Sequence, residues 1–185
     1  MKKITKVFLK KHNACRNGYE WYLEQKTTDA NKIFKRLVEH NRLNDANWVI
    51  CRMFNKKQKI QYAIYAAEQV IDIFEKQYPE DKRPRQAIDA AKIVLKKNTI
   101  ETRNAAAAYS AAAYSAAAYS AAAYSAAAYS AAYSANAAAA AANAAYSYAN
   151  AAAANAAYAA NYAAAMRIKI LNYGLKLLKL KEVRK

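Results

Sequence analysis

From Asn104 to Ala165 the chain is almost all Ala, interrupted only by Tyr, Ser and Asn, with no charge, Gly, Pro, Leu, Ile, Val or Phe. Its first half repeats Ala-Ala-Ala-Tyr-Ser, placing Tyr109, Tyr114, Tyr119, Tyr124 and Tyr129 five apart. The beat shortens at Tyr133, and Asn136, Asn143 and Asn150 then fall seven apart. Ala is the strongest helix former and no breaker intervenes, so the tract reads as helix. Each five-residue step turns the helix by roughly 140°, so successive tyrosines point to different sides and no single wet face forms. One unbroken helix would run roughly 90 Å, too long to hide in a domain of this size. The tract is therefore expected either to fold back near Ser134 to Asn143 or to be covered by other copies of the chain.

Other readings of the repeat compete with this one. Replication slippage would leave the register with little meaning, and the seven-residue Asn spacing also suits a polar stripe on a left-handed coiled helix. A pentapeptide β-solenoid needs a bulky apolar residue at the centre of each repeat, which is missing. Two membrane spans would fit the length. Ala is nearly neutral on insertion, however, and nothing strongly apolar offsets the Ser and Asn, so no membrane association is expected.

The 185 residues suffice for one folded unit with a real core. Three regions are expected within it: a basic multi-helix region at 1–103, the Ala/Tyr/Ser/Asn-rich helical region at 104–165, and a basic C-terminal helix at 166–185. Lys and Arg number 30 against 13 Asp and Glu, a formal charge of +17, all of it outside the tract. Such a balance points to an anionic partner, whether nucleotide, nucleic acid, acidic protein or membrane surface. Cys15 and Cys51 read as reduced core thiols rather than a disulfide framework. Met1 to Lys11 lacks the uninterrupted apolar run of a signal peptide, which makes the cytoplasm the expected location.

Helical spacing recurs through the ends. Ile4 to Lys11 and Tyr19 to Gln25 form short helices, with Asn13 to Gly18 as connection. Thr27, Thr28 and Asp29 are N-cap candidates for a helix carrying Ile33, Phe34, Leu37 and Val38. Asn44 or Asp45 caps a helix through Trp48, Val49, Ile50 and Met53. Asn55 opens a long helix with Ile60, Ile64, Ala67, Ile71 and Phe74 on one face, ending before Pro79. Pro84 suits the first turn of the next helix, which runs to about Lys97. Asn98-Thr99-Ile100-Glu101 has the form of a capping box. After the tract, Met166 to Tyr173 is helical, with Gly174 as C-cap or kink. No segment alternates as a strand does. The expected class is all-α, a helical bundle with short basic helices packed around long Ala/Tyr-rich ones.

The inventory offers no catalytic constellation. His12 and His40 read as surface residues and have no ligand at metal spacing, so no metal and no cofactor are expected. The serines lack a neighbouring base, and the two glycines build no phosphate loop. Glu68, Asp72 and Glu75 lie about a turn apart and read as surface ion-pairing groups. The densest feature is Tyr78-Pro79-Glu80-Asp81-Lys82-Arg83-Pro84-Arg85, a rigid turn at a helix start. Tyr78, Lys82, Arg83 and Arg85 there are candidates for anion binding. The structural alternative has Asp81 capping and the arginines pairing with Glu80 or Asp89. Arg103 and Arg167 bracket the tract. If it folds back, they approach each other and Tyr109 and Tyr114, an arrangement suited to stacking on a base and pairing with a phosphate.

The run Tyr62-Ala63-Ile64-Tyr65-Ala66-Ala67-Glu68-Gln69-Val70, the segment Tyr78 to Ala91 and the Ala/Tyr-rich tract together resemble a bacterial and phage family, the type-five immunity proteins of polymorphic toxin systems. Ile4-Thr5, Asn13-Ala14-Cys15 and Gly18 to Trp21 are similar to its phage-borne members. The resemblance implies an α-helical, non-enzymatic protein that neutralises something by binding it, and it brings no catalytic residues. Many antibacterial toxins are basic nucleases, whose inhibitors do best acidic; a charge of +17 suits an anionic target better. The expected function is sequestration of a small anionic nucleotide, an immune signal of the host, by an oligomer of identical chains. Direct neutralisation of a toxin or host protein is the second reading, and nonspecific nucleic-acid binding the third.

Overall fold

The computed structural model describes residues 2–69, 71–106, 108 and 160–184, with the backbone alone at 73, 74, 77 and 160–164. The described residues form an all-α bundle. In chain order it comprises α1 (Lys6–Lys11), α2 (Arg16–Glu24), α3 (Ala30–Glu39), α4 (Leu43–Met53), α5 (Lys56–Glu68), α6 (Ile71–Gln77), α7 (Arg83–Lys96) and α8 (Ala160–Leu177). Residues 100–106 are also helical. Among the described residues one β-bridge pairs Lys3 with Asp29 and ties the N-terminal segment to the start of α3.

Local chemistry sets the short helices. Thr5 accepts from the Phe8 N–H at 3.1 Å, and Asp29 from the Asn31 N–H at 2.9 Å. Asn55 and Gln58 form a reciprocal capping box at 2.9 and 3.0 Å. Three elements close alike, with Asn13, Asn41 and Lys179 left-handed at φ 55°, 55° and 56°. Each returns an N–H to a carbonyl five residues back: Ala14 to Leu9, Arg42 to Leu37 and Leu180 to Leu175.

Several expectations are corrected. The Asn41 turn reverses the chain so tightly that α4 starts at Leu43, and Asn44 and Asp45 fall inside its first turn instead of capping it. α2 begins at Arg16 because the Cys15 sulfur accepts the Gly18 N–H at 3.3 Å, so half of the expected connection is helix. Cys15 is thus an exposed cap and not a core thiol. Cys51 is in the core, and burial pushes its thiol up to about 12. The long helix after Asn55 divides after Glu68, and α6 places Ile71 in the core; the side chain of Phe74 lies outside the described residues. The cap before residue 100 is a reciprocal Thr99–Thr102 pair at 3.1 and 3.3 Å, while Asn98 accepts from Arg103 instead.

The core is drawn from the charged ends of the chain. Phe34, Leu37, Ile50, Tyr62, Ile88, Ile170 and Leu175 are each at most 2% exposed. α8 packs on α4 and α5, α3 on α4, and α7 on α5. The Tyr62 hydroxyl donates to Asn47 Oδ1 at 2.6 Å across α5 and α4, and Tyr65 stacks on Tyr173 at 3.9 Å. The expected fold-back near Ser134 to Asn143, and the place of the Ala-rich tract in the bundle, lie outside the described residues. No described helix is long and apolar enough to cross a membrane.

Gly174 is neither a C-cap nor the end of a helix, because α8 runs on to Leu177. It is a contact surface. A Cβ there would stand 2.7 Å from Ile50 Cδ1, 2.8 Å from Tyr62 Cε2 and 3.1 Å from Phe54 Cζ. Gly174→Ala gains about 1 kcal/mol of helix propensity but overpacks three rigid neighbours at about 1–3 kcal/mol. The variant is expected to melt below the parent by a few degrees in a thermal scan; an equal or higher melting temperature would mean that α8 sits looser than described.

Candidate ligand-binding site

The proline-bounded turn keeps its cations for itself. Arg83 forks onto Asp81 through Nε at 2.9 Å and Nη2 at 2.7 Å, and its backbone N–H also donates to Asp81 at 3.1 Å. The N-cap position of α7 is Lys82 and not the expected Asp81, which accepts the Arg83 N–H from one residue further back and also holds its side chain. Arg85 forks onto Glu75 at 2.8 and 2.6 Å, with Asp72 at 3.6 Å. The partners are thus Asp81 and Glu75, in place of the expected Glu80 and Asp89, because α6 brings its carboxylates within reach of Arg85. The Lys82 ammonium donates to the Pro79 carbonyl, and Tyr78 packs half-buried against the core. Glu68 is likewise taken, by Lys92 at 2.7 Å. Hydrogen bonds from the arginines hold Glu75 and Asp81 below the usual carboxylate range.

The pair expected to bracket a fold-back has separate partners, one local and one on α4. Arg103 donates to Asn98 Oδ1 at 3.0 Å, and Arg167 reaches Asn44 Oδ1 at 3.5 Å. The buried Arg167 Nε has no hydrogen-bond partner among the described residues. Tyr109 and Tyr114 lie outside the described residues.

The more developed site is formed by α1 to α4. A cavity of about 180 Å³ opens there, walled by Trp21, Trp48, Leu9 and Ile33, with Asn13, Cys15 and Asp45 as its polar groups. The turn at Asn13 and the N-cap at Cys15 fold its rim, and α4 supplies Asp45, Trp48 and Val49. Around it the side chains interlock. Arg42 donates to Asp45 Oδ2 and to Asn17 Oδ1, both at 2.6 Å, and sits 5.3 Å from the Trp21 ring centre. Trp21 Nε1 donates to His40 Nδ1 at 3.2 Å.

Cations gather around His12, and one of them reaches a residue of the cavity wall. The Arg52 guanidinium lies 4.4 Å from the centre of the Trp48 ring. His12, next to Asn13, packs its ring 4.7 Å from Phe8 and is half-buried, not fully at the surface as expected. Desolvation lowers its pKa first, and the charges of Arg52, Lys11 and Lys59 add to that. Lys59 is also lowered, by burial foremost and by Arg52 among its charged neighbours, against the opposing pull of Cys51. Neither Lys11 nor Lys59 meets a carboxylate among the described residues. A second basic surface lies where the chain ends meet, in a groove lined by Lys2, Asn31, Gln58 and Lys179. No group of three or more His, Cys, Asp or Glu side chains suited to a metal ion occurs among the described residues.

No family model, curated protein or solved structure matches the chain. Sequence reasoning missed the cavity because its residues are scattered over 45 positions between Ile4 and Val49 and form no motif. The only available signals were the two tryptophans, Trp21 and Trp48, in a basic region.

The two arginine forks are structural, so the double variant Arg83→Ala, Arg85→Ala is expected to cost little stability, under about 1 kcal/mol per exposed pair. Glu75 and Asp81 have lowered folded pKa values, so their contribution is present above the usual carboxylate range and is lost as pH falls through the folded values. Acid unfolding of the double variant should therefore be less steep than that of the parent in this window. An unchanged acid limb would show that the forks carry no linkage.

Proposed function

We propose that the protein is a non-catalytic binding protein that sequesters a small anionic ligand, a nucleotide of the kind a host defence uses as a signal. The observation that carries this reading is the gathering of Lys11, Arg52 and Lys59 around His12, with Arg52 lying over the ring of Trp48, a residue that also lines the cavity. Burial foremost, and after it the like charges of Arg52, Lys11 and Lys59, disfavours the charged form of His12; burial and then Arg52 do the same for Lys59. A phosphate placed among them relieves that repulsion, and an aromatic wall beside a phosphate suits a nucleotide. The formal charge of +17 adds long-range attraction for any anion. With the resemblance to phage-borne immunity proteins, the reading makes sequestration a form of counter-defence, carried out by binding alone.

Titration calorimetry against a nucleotide panel at two salt concentrations tests it. Saturable binding with fixed stoichiometry and discrimination between related nucleotides is expected. Lys59→Gln removes one phosphate contact, and a loss of about 1.4 kcal/mol would weaken binding about tenfold. The ligand favours charged His12, so it should raise that depressed pKa, take up a proton on binding and bind more tightly as pH falls below 6.5. No nucleotide binding, or binding to any polyanion that collapses steeply with salt, would overturn the reading.

A further inference from the structure

The cavity between α1 and α4 has recognition chemistry of its own. An apolar cavity of about 150 Å³ is enough to hold benzene, so the 180 Å³ here takes one aromatic ring or a small fused pair. Trp21 and Trp48 give it flat walls on which such a ring can stack. One wall is polar and incompletely used. Asp45 gives Oδ2 to Arg42, whereas Oδ1 accepts no hydrogen bond from the described residues. Gly18 borders that oxygen: a Cβ there would stand in ordinary contact with Asp45 Oδ1, at 3.8 Å, and tight against Cys15 Sγ, at 3.3 Å, so a longer side chain would extend over the carboxylate. Gly18 lies inside α2 and no glycine described here has a positive φ, so the turn geometry does not demand it. Arg42 already balances the carboxylate charge, so the occupant need not be a cation; it needs an N–H.

We propose that this cavity binds a compact planar aromatic ring carrying an N–H donor, with Asp45 Oδ1 as the acceptor and Trp21 and Trp48 as the stacking walls. The inference deepens the nucleotide reading and rests on it in one respect, since a nucleobase with an exocyclic amine is such a ring. A site that leaves a carboxylate oxygen without a donor discriminates against an isosteric ring lacking the N–H.

Aniline and toluene are near-isosteres that differ in this donor, and pyrophosphate reports on the cations alone. All three are titrated calorimetrically into the full-length protein at neutral pH. Aniline is expected to bind once per chain and at least tenfold more tightly than toluene. Asp45→Ala should bring aniline down to the affinity of toluene, and Gly18→Val should remove both. Equal binding of aniline and toluene to the parent protein overturns the proposal, and that comparison needs no variant to fold. Pyrophosphate binding without aniline binding sinks the ring site and leaves the anion reading standing. Aniline binding without pyrophosphate binding supports the ring site and sinks the anion reading.

Discussion

The close approach of α8 to α4 and α5 at Gly174 is the contact on which the rest of the molecule depends. It joins parts of the chain more than a hundred positions apart, and Gln58 secures it by donating to the Leu177 carbonyl at 2.7 Å, 119 residues along the sequence. Ile50 and Tyr62 meet α8 at this point, and Tyr62 holds Asn47 on α4. α4 therefore serves two purposes. Ile50 is seated against α8, while Asp45, Trp48 and Val49 line the cavity on the N-terminal side. A shift of α8 would reach the candidate site through α4 without any contact between the two.

Charge is partitioned across the bundle. Glu68, Asp72, Glu75, Asp81 and Asp89 engage Lys92, Arg83 and Arg85, so these three cations of α7 are paired. Such exposed pairs add little stability each, but they withdraw their arginines from other work. Lys11 and Lys59 meet no carboxylate among the described residues, and with Arg52 they add like charge around His12. A site of this kind costs the free protein something and returns it on binding an anion. Burial first, and the same neighbours after it, make neutral His12 the favoured folded form, so the ligand-free fold loses stability as pH falls from 6.5 through its lowered value.

Much of the fold was legible in the sequence. Asp29, Asn55 and Pro84 marked helix starts correctly because capping and proline geometry are local. The apolar faces of α3 and α5 followed from helical spacing. Local rules failed where tertiary contacts decide. Gly174 has the look of a terminator and is a packing surface, since only the fold brings Ile50 and Tyr62 against it. Cys15 reads as a core thiol and yet caps a helix in solvent. The dense Arg83–Arg85 turn drew attention as a binding site, whereas its cations are satisfied by Asp81 and by Glu75, ten residues upstream of Arg85. The cavity was illegible because no spacing rule joins Cys15, Trp21 and Asp45.

Native mass spectrometry of the protein purified gently from cells, followed by denaturation to release anything bound, tests the central claim most directly. Sequestration predicts a species heavier than the polypeptide, or a symmetric oligomer of it, that releases an anion of nucleotide size. A ligand-free species from the same cells, or one carrying a bound protein instead, would contradict it.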